Sequence, residues 1–202
     1  LPCCRPNTGF SLIELLLVLS IMAILAGLVL PNSNPATHDQ LMSAARIMAS
    51  DLAYARSLAV TYAGPYRVRF DAAENRYTLE SSEGKTLPSS PFSSPQDTPT
   101  QHVVDLDELP SMGGAVRLLG AAAGANLTAP VSEVEFGSLG GTTRSDTTRI
   151  WLGAGSGAEK RYINVDINPV TGLATLGTYT GVAPPASVIP VPASSLKAKS
   201  NR

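Results

Sequence analysis

One carboxylate, Glu14, stands inside a near-continuous apolar run from Phe10 to Leu30. An ionised carboxylate near the middle of a hydrocarbon layer costs about 2.5–3.5 kcal/mol, and less toward the interface, so a carboxylate kept there usually has a partner and a task. The chemistry open to it is ionic pairing. Elsewhere reactive side chains are sparse. The histidines are His38 and His102, with no second ligand near either in sequence. Asp105, Asp107 and Glu108 follow His102, and Asp166 with Asn168 precedes a turn. Oxygen ligands at alternate positions suit calcium, but no complete loop is present and these read as solvated acidic turns. Gly153-Ala154-Gly155-Ser156-Gly157 is glycine-rich. It lacks the lysine and Ser/Thr that would meet phosphate and Mg²⁺, so it reads as a hairpin turn. Cys3 and Cys4 both precede the apolar run and are incidental to the folded part, which then holds no disulfide and no thiolate chemistry. No catalytic residue, cofactor or metal is expected.

The elements that must carry these residues follow from periodicity. The 21 residues Phe10–Leu30 would form a helix ~31 Å long, about one hydrocarbon core. A cleaved secretory signal would be shorter and end in a small-x-small site; this run goes on through Leu28, Val29 and Leu30 to Pro31. The single cation before it, Arg5, keeps the N-terminal side in the cytoplasm and sends the bulk of the chain across the membrane. Pro31 and Pro35 interrupt the helix. Thr37 with Gln40 three residues on forms a capping box, which starts a second helix at 38–62. Leu41, Ala45, Met48, Leu52, Ala55, Ala59 and Tyr62 give it one apolar stripe, His38 faces solvent in its first turn, and Gly64-Pro65 stops it.

After Pro65 the pattern alternates. Tyr66–Phe70 and Arg76–Glu80 form a hairpin across residues 71–75. Serine and prolines 88, 91, 95 and 99 make 81–101 a long, exposed, mobile loop. Short strands are expected at 102–106, 115–119, 132–136, 147–152, 161–167 and 173–179, with a turn at 168–172 where Gly172 supplies a positive φ. Eight strands of this spacing fit two small antiparallel sheets, or one long one, packed on the second helix: an α+β chain. The stretch 182–202, with four prolines, is expected to be disordered. Its Lys197, Lys199 and Arg202 offer weak phosphate attraction at physiological salt, so a solubilising tail is favoured over nucleic-acid binding. The chain as a whole has 15 % charged residues and a formal net charge of −1, which provides no global field for nucleic acid.

Gly9 followed by Phe10-Ser11-Leu12-Ile13-Glu14 and a long apolar helix resembles the N-terminal signature of type IV prepilins and type II secretion pseudopilins. The resemblance implies a pilin-like fold whose long N-terminal helix is transmembrane in its first half and packs on antiparallel β-sheets. It also implies cleavage between Gly9 and Phe10 by a prepilin peptidase, N-methylation of Phe10, and a kink at Pro31. Glu14 would be the assembly carboxylate, pairing with the N-terminal amine of a neighbouring subunit. Burial makes such a pair strict about register. The implied organisation is a leader at 1–9, a transmembrane and assembly helix at 10–31, a globular domain at 32–181 and a tail at 182–202. Asp51-Leu52-Ala53-Tyr54-Ala55-Arg56, Val134-Glu135-Phe136-Gly137, Ile163-Asn164-Val165 and Thr171-Gly172 further resemble H-type minor pseudopilins and FimT-like minor pilins. The implied role is structural and not enzymatic: a minor pseudopilin of a type II secretion pseudopilus in the bacterial inner membrane, its globular domain periplasmic and its partners other pseudopilins or pilins. The alternative is a FimT-like minor type IV pilin acting in pilus assembly or DNA uptake.

Overall fold

The computed structural model describes residues 11–29, 37–88, 94–109 and 114–188. Residues 1–34 and 35–202 form two compact units. Within the first, α1 spans Leu12–Val29, 18 residues or ~27 Å. The Ser11 carbonyl accepts the Glu14 and Leu15 amides at 3.0 and 3.2 Å, and this closes its first turn. Leu12, Ile13, Leu15, Leu16 and Leu17 are all exposed. Among the described residues no helix is long and apolar enough to cross a membrane. The full 21-residue span read from the sequence therefore remains a proposal.

In the second unit, α2 covers Thr37–Thr61, one residue from the expected limits at each end. Its buried face is Leu41, Ala44, Ala45, Met48, Leu52, Ala55, Leu58 and Ala59. Tyr62, placed on that stripe by spacing, is half exposed because the helix has already ended. The left-handed residue that ends it is Ala63 (φ 47°), not the neighbouring glycine. Gly64 N–H reaches back to the Ala59 carbonyl at 3.2 Å, the closing bond of a Schellman turn. An L-residue with a Cβ pays about 1–2 kcal/mol to sit there. Ala63→Gly is thus expected to stabilise the domain by about 1 kcal/mol, read as a higher denaturant midpoint at unchanged slope.

Nine strands are described, all antiparallel, in two sheets. The first has the order β3-β2-β1-β6, built from β1 (Tyr66–Asp71), β2 (Arg76–Ser81), β3 (Gln101–Asp105) and β6 (Glu133–Phe136). The second has the order β5-β4-β7-β8-β9, from β4 (Val116–Ala123), β5 (Ala129–Val131), β7 (Thr148–Ala154), β8 (Arg161–Ile167) and β9 (Ala174–Leu176). The two-sheet form of the expectation holds, and so does the β1–β2 hairpin, although Asp71, placed in the turn, belongs to β1 and pairs with Arg76. α2 packs on β7, β8 and β9 of the second sheet and on β1 of the first. The core between helix and sheets holds Val68, Tyr77, Leu79, Val134, Phe136, Ile150, Leu152, Ile163, Val165 and Ile167.

Three expectations need correction. Strand β5 escaped notice because it is three residues long and holds Pro130, which an edge strand tolerates. The loop at 81–101 is tied down where it is described: Leu87 N–H donates to the Pro99 carbonyl at 2.7 Å, and the Asp97 carboxylate accepts the Ser94 and Val103 amides, each at 2.8 Å. The tail is ordered as far as Val188, whose side chain is buried on the outer face of the second sheet with Leu119, Ala122, Trp151 and Tyr162.

Candidate functional site

Glu14 lies in the first turn of α1 with its side chain in the open. A carboxylate there faces the positive end of the helix dipole, and an exposed one stays available to an external cation. Gly9, Phe10 and Pro31 lie outside the described residues, as do Cys3, Cys4, Arg5, Lys197, Lys199 and Arg202.

Three pieces of the finer resemblance, Arg56, the glycine turn after Phe136 and Thr171-Gly172, meet at the C-terminal end of α2. Arg56 Nε donates to the Gly140 carbonyl at 3.2 Å, which fastens the helix to the turn after β6. That turn is closed by Gly140 N–H to Gly137 O and Gly137 N–H to Gly141 O, both 2.8 Å. Thr142 N–H then donates to Pro169 O at 2.8 Å, joining it to the turn between β8 and β9. In the second turn Asn168 Oδ1 accepts the amides of Val170 and Thr171 at 3.0 Å, and Gly172 (φ 64°) packs directly on the Gly140 carbonyl. Arginine, glycine turn and Thr-Gly are therefore one junction, and its work is structural. Glu135, also in this set, accepts the Ser82 hydroxyl at 2.6 Å. The junction leaves Leu139 and Val170 projecting into solvent.

A second cluster was not foreseen. Tyr77, fully buried under α2, donates its hydroxyl to Asp51 Oδ2 at 2.6 Å. Burial holds the Asp51 carboxyl above the ordinary aspartate value of 3.8, with the Tyr77 hydrogen bond and the nearby His102 pulling the other way. Burial, reinforced by Asp51, pushes the Tyr77 phenol well up. His102, on β3, is nearly buried and its Nδ1 lies 2.8 Å from Asp97 Oδ2. Asp51 and His102 line a groove of about 690 Å³ with Ile47, Val104 and Leu109. The signal available in sequence was period four on α2: Ile47 and Asp51 share the flank beside the apolar stripe. A carboxyl whose folded value is raised contributes stability that is present below the unfolded value and lost as pH rises through the folded one. Asp51→Asn keeps an acceptor for Tyr77, so it is expected to flatten the fall in stability above pH 3.8 and to leave the neutral-pH midpoint equal or higher. Denaturant midpoints on both sides of that pH test this.

The acidic sets are already engaged. Asp105 Oδ1 accepts the Asp107 amide at 2.8 Å, Asp107 accepts Asn75 Nδ2 at 2.8 Å, and Asp166 takes both Arg149 nitrogens at 2.6 and 2.7 Å. Among the described residues no group of three His, Cys, Asp or Glu could hold a metal ion. The glycine-rich 153–157 stretch is the β7–β8 hairpin turn, closing into a 3₁₀ turn at Gly157–Glu159. His38 is half exposed, as placed, and meets the Tyr179 ring edge-on at 4.7 Å.

No curated protein matches the chain. Among solved structures it is similar to the type IV minor pilin FimU of Pseudomonas aeruginosa (strain PAO1), at 17 % identity and TM-score 0.44, over 71 % of this chain and 93 % of that one. It is also similar to the minor pseudopilin EpsH from the type 2 secretion system of Vibrio cholerae, at 16 % identity and TM-score 0.45, over 68 % and 95 %. At the N-terminus the chain matches the prokaryotic N-terminal methylation motif, and the match takes in Gly9, Phe10 and Glu14. Residues 4–30 of this chain carry that motif.

Proposed function

We propose that the chain is a prepilin-type structural subunit, cut between Gly9 and Phe10 by a prepilin peptidase, N-methylated on Phe10, and assembled through its N-terminal helix. The observation that carries this is the methylation motif at residues 4–30, which takes in Gly9, Phe10 and Glu14. The reading places residues 10–31 in the bacterial inner membrane and the globular domain in the periplasm, with other pilins or pseudopilins as partners. Glu14, open at the start of α1, can pair with a neighbour's N-terminal amine. Since that pair would be desolvated in a helical bundle, only one stagger of the subunits satisfies it.

Within this class the proposal is a minor pseudopilin of type II secretion, supported by the Arg56–Gly140–Gly172 junction built from the residues that resemble the H-type pattern. A DNA-uptake pilin is less well supported. On the open face of the first sheet Arg67 pairs with Glu80 at 2.6 Å and Arg69 with Glu133 at 3.3 Å, so these arginines are neutralised in place. Mass spectrometry of the N-terminus after co-expression with a prepilin peptidase should find a chain that begins at methylated Phe10. A chain that keeps residues 1–9 overturns the reading.

A further inference from the structure

The outer face of the second sheet holds a shaped seat for a short segment that ends in a turn at 185–188, and the segment in it is the chain's own. Strand β4 bulges between Leu118 and Gly120, and this brings Ala122 to the same outer face as Leu119, beside Trp151 and Tyr162. Gly153 makes room for Leu119: a Cβ there would stand 2.9 Å from Leu119 Cδ1. At Gly120 (φ 138°) the Val188 carbonyl occupies the place a Cβ would take, so the seat is notched for this backbone. The Val188 side chain is 5 % exposed.

The seat is far better held than its occupant. It is made of hydrogen-bonded strands in the middle of a sheet. The segment is tied by two buried residues, Pro184 and Val188, and by Ser187 Oγ donating to the Thr128 carbonyl at 3.1 Å; the Val188 amide bonds only within the segment, to Pro185. Upstream, Thr180 and Tyr162 exchange backbone hydrogen bonds of 2.8 and 2.9 Å, which fixes the point of departure. Gly181 follows as a hinge, and Pro184-Pro185 favours an extended chain on either side of release. Segments with few buried contacts open at a small fraction of the global unfolding free energy.

We propose that this seat is an exchange site: residues 182–188 swing out at Gly181, and the same segment of a second copy of the chain enters, giving a reciprocally strapped dimer. The contacts made in trans are those made in cis, so the balance is set by local concentration, and the stiff prolines lower the cost of ordering the arriving segment. This goes beyond the assembly role and does not depend on it.

The test uses the full chain in detergent with Cys3→Ser and Cys4→Ser. One population carries Val188→Cys and the other Ala122→Cys, and a short thiol–thiol cross-linker is added to the mixture. A cross-linked heterodimer forms only through exchange. It is expected to rise with protein concentration and to be lost when Gly120→Ala fills the notch of the second population. A single chain carrying both cysteines should close internally, and Trp151 emission should shift to the red when the chain ends after Gly181. If the double-cysteine chain closes while the heterodimer stays at the level of the Gly120→Ala control at every concentration, exchange does not occur. If that chain fails to close, or Trp151 emission does not move on truncation, the seat itself is refuted.

Discussion

Asn75→Ala is expected to destabilise the domain by about 4 kcal/mol, a large share of the 5–15 kcal/mol typical of a folded domain. Asn75 is fully buried and sits at φ 52°, at the end of the β1–β2 turn. Its Oδ1 accepts the Leu118 amide at 2.8 Å, and its Nδ2 donates to the Val116 carbonyl at 3.0 Å and to Asp107 at 2.8 Å. One side chain thus supplies a strand-like donor and acceptor to the free edge of β4, joining the first sheet to the second. Alanine leaves two buried backbone groups unpaired, at about 1–3 kcal/mol each, and asparagine tolerates the left-handed conformation better than alanine does. Asn75→Asp keeps the acceptor for Leu118 but faces Asp107 with a second carboxylate, so it too should be severe. Asn75→Gly relieves the backbone and not the lost bonds; its loss should be the smallest of the three. Urea midpoints order the variants. A loss under about 1 kcal/mol for alanine would show that the seam is held elsewhere.

Gly172→Ala is the second large effect, expected at about 3 kcal/mol or more. At φ 64° alanine pays about 1–2 kcal/mol for the backbone alone. Its Cβ would also fall on the Gly140 carbonyl and come 3.1 Å from Arg56 Cδ. The two turns must part, and the Arg56–Gly140 bond goes with them. Arg56→Ala removes the same bond without the collision and should cost about 1–2 kcal/mol. The glycine change should therefore exceed the arginine change; the reverse order would mean that the turns can separate freely. Since the junction lies in the folded domain and not in the methylation motif, neither change should stop N-terminal processing.

The elements that rest on a repeating pattern were legible in the sequence. Period 3.6 over a 25-residue helix gave α2 to within a residue at each end, because a long stripe averages out local exceptions. Strict alternation in Tyr66–Phe70 and Arg76–Glu80 gave the hairpin, but its register, with Asp71 paired to Arg76, was not legible. Short or irregular elements were not legible. β4 continues through Gly120-Ala121-Ala122-Ala123 with little strand propensity, and its bulge breaks the alternation that would have betrayed it. The docked tail was hidden because prolines and serines signal a lack of local structure and say nothing of a seat formed by distant strands. Asn75 read as a turn residue, which it is, but its bonds to Val116 and Leu118 span over 40 positions. The motif at Gly9–Glu14 stood out because it is local and contiguous. The Asp51–Tyr77 pair did not, because its members come from a helix and a strand.

The buried face of α2 has one more consequence. Four of its eight inward residues are alanines: Ala44, Ala45, Ala55 and Ala59. Methyl groups let a helix lie close to the strands beneath it, and that closeness acts as a size filter on sequence change. An ordinary helix over a sheet absorbs an extra methylene by rocking slightly. Here Ala45→Leu or Ala55→Leu would have to lift a backbone that touches two sheets at once. Mutational tolerance should therefore run opposite to the usual expectation for small residues. The alanines of α2 are the positions least free to vary, and the large residues on the outer faces of the sheets are freer.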